Sequence, residues 1–124
     1  MWHDISGYNP GNVEIAYLRR SMSEPQRAAI YIALWVFNSD YYGGVSGCGK
    51  KWYFTKAKIK KALSTIKDLE YMMQCTVKYP YSGGDEEMAL YKIQQDAMNM
   101  DSEKQFLQDI LDKGTADKIC ILFS

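Results

Sequence analysis

Residues 43–54 read GGVSGCGKKWYF, and the direction the chain takes after Lys50 decides the class of fold. A helix opening at Lys50 makes the glycines a loop feeding a helix N-terminus. A strand makes them a hinge at the entrance to a sheet. Trp52, Tyr53 and Phe54 favour the strand, because aromatic side chains suit a pleated, half-buried surface. The glycines then supply backbone freedom, positive φ included, just ahead of it.

Within this stretch Gly44 to Lys50, GVSGCGK, resembles the phosphate loop of small kinases and related P-loop NTPases, over seven of the 124 residues. In such a loop, backbone N–H groups wrap the phosphates, lysine neutralises them, a hydroxyl holds magnesium and a helix dipole points at the charge. The stretch does not meet these requirements. Lys51 occupies the place of the hydroxyl. Asn38 to Tyr42 do not form the buried strand that delivers the loop, and Trp52 to Phe54 do not begin a helix. The apolar run Ile119–Phe123 ends without the aspartate a second strand of that fold carries. The sequence therefore predicts no cofactor, and a degenerate nucleotide-binding loop is the weakest of its functional readings.

Working toward the N-terminus, Ser23-Glu24-Pro25-Gln26 has the form of a capping box with proline in the first turn. It predicts a helix over about 24–37, whose second half, Ala28 to Phe37, has no polar break and so belongs at the centre of the molecule. Before it, Asn9-Pro10-Gly11 is a turn, after which Asn12 is read as capping a short helix with Val13, Ala16, Tyr17 and Arg20 on one side.

Toward the C-terminus, Thr55 caps a helix of roughly 56–75, with Ile59, Leu63, Ile66 and Met73 on its apolar face and lysines behind. Tyr79 to Gly84 break the chain, and Asp85, Glu86 and Glu87 open a further helix through about residue 100. Ser102-Glu103-Lys104-Gln105 reads as a second capping box, opening a helix that buries Phe106, Leu107, Ile110 and Leu111 and stops at Gly114. Ile119–Phe123 is a buried strand and needs a partner for its backbone groups, for which Lys51–Phe54 is the best candidate. The expected fold is α+β but mainly α, in one domain over 1–124: four or five helices around the central helix 24–37, with a small sheet of about 51–54 and 118–123.

Fifteen basic and fifteen acidic residues cancel, which argues against a generally polyanion-binding protein. Locally the balance breaks: seven lysines and no acid lie between Lys50 and Lys67, and nine acids face four lysines from Asp85 onward. Three distant cysteines, Cys48, Cys75 and Cys120, are poor material for a disulfide framework and are read as reduced thiols of a cytoplasmic protein. No secretory leader is evident, and the ten apolar residues from Ala28 to Phe37 are too few to cross a bilayer. No membrane association is expected.

No catalytic residue and no metal ligand set is assigned. His3 is the single histidine and lies near a terminus, and no two cysteines have the close spacing of a zinc site. Cys48 beside two lysines has a route to a lowered pKa, but no base accompanies it. The ten tyrosines point instead to recognition, since tyrosine and tryptophan give large contact area at little entropic cost. The leading reading is a small non-enzymatic protein that binds another protein stoichiometrically through Tyr41, Tyr42, Trp52, Tyr79 and Tyr81. By size and type it is analogous to bacterial or phage inhibitors and immunity proteins. The alternative is winged-helix-like nucleic-acid binding through Lys50, Lys51, Lys56, Lys60 and Lys67.

Overall fold

In the computed structural model, residues 2–21, 26–36, 50–75 and 99–123 are described. They form β1 (Trp2–Asn9), β2 (Val13–Ser21), α1 (Gln26–Leu34), β3 (Lys50–Thr55), α2 (Lys56–Cys75), α3 (Asp101–Lys113) and β4 (Lys118–Phe123). The strands make one antiparallel sheet in the order β2-β1-β4-β3. This overturns the expectation of four or five helices around a central one. Three described helices lie against a four-stranded sheet, and the predicted pair of strands is only half of it. Lys51–Phe54 does pair with Ile119–Phe123, with Trp52 opposite Ile121. Lys50 opens a strand, so the helix that a phosphate loop requires after its lysine does not form.

The missing half is the hairpin β1–β2, the second of whose strands stands where a helix was expected from Asn12. Val13, Ala16, Tyr17 and Arg20 do match a helical period, but two positions decide otherwise. Gly11 (φ 85°) and Asn12 (φ 61°) both sit in the left-handed region, which these two residue types tolerate best, and so reverse the chain over three residues. Beyond the turn, period two prevails. Ala16 and Leu18 are buried on the helix-facing side, and Tyr17 and Arg19 are exposed on the other. Between the Gly7↔Ala16 and Tyr8↔Glu14 pairs the register shifts, leaving Ile15 as the extra residue of a bulge.

Ile5, Leu18, Phe54, Ile119, Ile121 and Phe123 form the sheet's contribution to the core. The helices supply Ile30, Tyr31 and Leu34 from α1, Ile59 and Ile66 from α2, and Phe106, Leu107 and Ile110 from α3. The Tyr31 and Phe123 rings meet at 5.0 Å between centroids. Gly7 lets α3 settle on β1: a Cβ there would stand 3.1 Å from Ile110 Cδ1. The predicted apolar faces of α2 and α3 turn to the core, with Ile59, Leu63, Ile66, Phe106, Leu107 and Ile110 buried and Met73 and Leu111 half-buried against it. Thr55 caps α2 as expected, its Oγ1 accepting from the Lys58 N–H at 3.1 Å.

The ends of α1 and α3 differ from expectation. The described part of α1 stops at Leu34, short of Phe37, and the Ser23–Pro25 part of its predicted cap and the helix expected near 85–100 lie outside the described residues. Helix α3 begins at Asp101, so Ser102 is inside it and no side chain of its own N-cap closes the turn. The second capping box is therefore not formed. Instead Glu70 of α2 accepts from the Met100 N–H at 2.6 Å, and Glu103 turns to Arg20. Gly114 ends α3 as predicted, though at φ −67°. Glycine is required there for space, since a Cβ would lie 2.6 Å from the Ile110 carbonyl oxygen.

Candidate functional site

Of the residues expected to meet a protein partner, Tyr41, Tyr42, Tyr79 and Tyr81 lie outside the described residues. Trp52 lies on the helix-facing side of β3, half-buried, and its Nε1 is buried with no hydrogen-bond partner among the described residues. Of the expected nucleic-acid contacts, Lys50 and Lys51 are in β3, Lys51 exposed on the face away from the helices. Lys60 and Lys67 are exposed on α2. Lys56 is engaged within the fold, donating from Nζ to the Gly114 carbonyl at 2.7 Å.

Among the described residues a cluster of charged side chains gathers at the start of α3. Arg20 grips Glu103 through two bonds of 2.7 Å, Glu103 being fully buried. Lys104 bridges Glu70 at 2.8 Å and Asp101 at 3.1 Å. The hydrogen bonds that Lys104 donates to Glu70 and Asp101 hold its ammonium above the ordinary lysine pKa. The Asn99 amide, and then Lys104, hold the Asp101 carboxyl below its own. A general acid or base works best with a pKa near the operating pH, and both shifts lead away from neutrality. This cluster fastens β2, α2 and α3 together. No group of three or more metal-binding side chains occurs among the described residues.

A different site forms where the end of α1 meets α2. Helix α1 closes with paired bonds from the Trp35 N–H to the Ile32 carbonyl (3.1 Å) and from the Val36 N–H to the Tyr31 carbonyl (2.9 Å). This is a Schellman closure, whose left-handed position usually takes glycine. Here it holds Trp35 at φ 59°. Val36, next along, is buried and fixes the exit of the chain. The turn thereby presents Trp35, 69% exposed, beside Ile32, 43% exposed. On α2, Lys58, Lys61 and Thr65 follow at spacings of three and four, so they share one stripe. The two stripes border a groove of about 490 Å³, apolar on the α1 side and positively charged on the α2 side.

Sequence reasoning missed this site because an unbroken apolar run hides which of its residues face outward. The only available signal was the pair Ile32 and Trp35, three apart near the end of a helix. Compared with known protein families, curated proteins and solved structures, the chain matches none.

Proposed function

We propose that the protein is a non-enzymatic binding protein that engages another protein stoichiometrically, in the manner of an inhibitor or immunity protein, through the Ile32–Trp35 surface. The observation that carries this reading is Trp35 itself. A bulky residue at positive φ costs roughly 1–3 kcal/mol, and such strain clusters at functional positions. The ring is 69% exposed, so most of its surface is open to an intermolecular contact, and tryptophan is among the residues that dominate binding energy at interfaces. Lys58 and Lys61 across the groove favour a partner segment that combines an apolar anchor with carboxylates. Three widely spaced cysteines favour a reducing, cytoplasmic compartment for the protein. No described helix is long and apolar enough to cross a membrane.

Affinity capture from a host extract, run in parallel with wild-type protein and with the Trp35→Gly variant, tests the proposal. A partner retained by the first and lost by the second, with retention weakened by salt, is the expected result. Equal capture by both proteins would refute the assignment of this surface.

A further inference from the structure

The sheet has a second face, opposite the helices. Alternation along the strands places Tyr8, Tyr17, Lys51, Tyr53, Lys118, Cys120 and Leu122 there. Register aligns three of them in one row: Tyr8 of β1 is opposite Cys120 of β4, which is opposite Tyr53 of β3. Strands are about 4.8 Å apart, so the two tyrosines stand roughly 10 Å from each other with the small thiol between them. The gap is a groove of about 220 Å³, closed at one end by the Pro10–Asn12 turn and flanked by Lys51 and Lys118. Tyr53 is 66% exposed.

Charge on this face is divided. The acids Asp4 and Glu14 lie on the β1–β2 side: Glu14 is opposite Tyr8, and Asp4 is engaged by Arg19 at 2.8 Å and by the Tyr17 hydroxyl at 2.5 Å. The lysines of the groove lie on the β3–β4 side. The arrangement thus offers, within one strip, two rings on which flat heterocycles can stack and two cations spaced along it.

From this we propose that the strip of the open sheet face running across β1, β4 and β3 binds single-stranded nucleic acid, with Tyr8 and Tyr53 stacking on bases and Lys51 and Lys118 pairing with phosphates. Aromatic platforms beside a positive track are the physical requirement for binding an unpaired strand without sequence preference. A duplex hides its base faces and cannot use the tyrosines. The site differs from the α2 lysine face suggested by sequence, sharing only Lys51 with it, and is separate from the Ile32–Trp35 surface.

Fluorescence anisotropy with labelled oligothymidylate and oligouridylate of about 16 nucleotides, beside a duplex of equal length, provides the test. Saturable binding of a single strand is expected, with the duplex weaker. Tyr53→Ala should weaken binding about 10-fold, as loss of one stacked base does, whereas Tyr53→Phe keeps the ring and the affinity. The double variant Lys51→Gln, Lys118→Gln should reduce the slope of log K against log salt by about 1.4, the value for two phosphates of a single strand. Lys60→Gln with Lys67→Gln should leave binding unchanged. The proposal is overturned by the absence of binding up to about 100 µM protein at low salt, by a duplex bound as tightly as the single strand, or by wild-type affinity in Tyr53→Ala or the Lys51, Lys118 variant. Loss of binding in the Lys60, Lys67 variant would move the site to α2 and equally overturn it.

Discussion

At the scale of single residues, Trp35 and Tyr17 carry consequences that can be measured directly. Glycine relaxes the left-handed position that Trp35 occupies at φ 59°. Trp35→Gly is therefore expected to stabilise the isolated protein by about 1 kcal/mol, raising Tm by about 4 °C for a domain of this size, while removing the contact proposed for the partner. Calorimetry and capture on the same variant separate the two effects; a lowered Tm would mean that the ring packs within the fold. The Tyr17 phenol is held above its ordinary pKa chiefly by its hydrogen bond to Asp4, whose carboxylate favours the protonated hydroxyl. In Asp4→Asn the Tyr17 titration, followed by NMR of its ring carbons, should move down toward the normal tyrosine range. An unchanged titration would show that the bond does not persist in solution.

At the scale of elements, α3 is fixed at both ends by other parts of the chain. Its N-terminal turn is joined to β2 by Arg20–Glu103 and to α2 by Glu70. At its C-terminus, Asn9 of β1 donates to the Lys113 carbonyl at 3.0 Å and accepts from the Thr115 N–H at 2.9 Å. Arg20→Ala leaves the Glu103 carboxylate buried without its cation and should cost about 3–5 kcal/mol, read from urea unfolding. The double variant Arg20→Met, Glu103→Leu should recover most of that loss, because an apolar pair needs no compensating charge. If the double variant is no more stable than the single one, packing rather than desolvated charge dominates there. The faces of α2 and α3 were legible in sequence since their apolar residues recur at helical spacing. The role of Glu103 was not legible there, because its partner Arg20 is 83 residues away in the chain.

For the whole molecule, the charge cluster that joins β2, α2 and α3 makes stability depend on pH at both extremes. Lys104 has a raised pKa, so its contribution is complete below the ordinary lysine value of 10.5 and is lost as pH climbs through the folded-state value. Asp101 has a lowered pKa, so its contribution is complete above the ordinary value of 3.8 and is lost as pH falls through the folded-state value. Urea midpoints across pH should show a plateau between these limits, and Lys104→Met should flatten the alkaline decline; an unaltered decline would place it elsewhere. By itself the sequence determined strands at about 51–54 and 118–123, their pairing, the apolar faces of α2 and α3, and the extended backbone after Lys50, because each follows from local periodicity or from the need to pair a buried backbone. Only the tertiary structure decided that residues 2–21 form a hairpin beside β4, since Val13, Ala16, Tyr17 and Arg20 fit a helical period and the Gly11–Asn12 reversal tells against it only once a sheet is present to receive the strands. It also decided the two proposed surfaces: exposure of Trp35 and the alignment of Tyr8 with Tyr53 arise from packing and register between segments far apart in the chain, which no local pattern encodes.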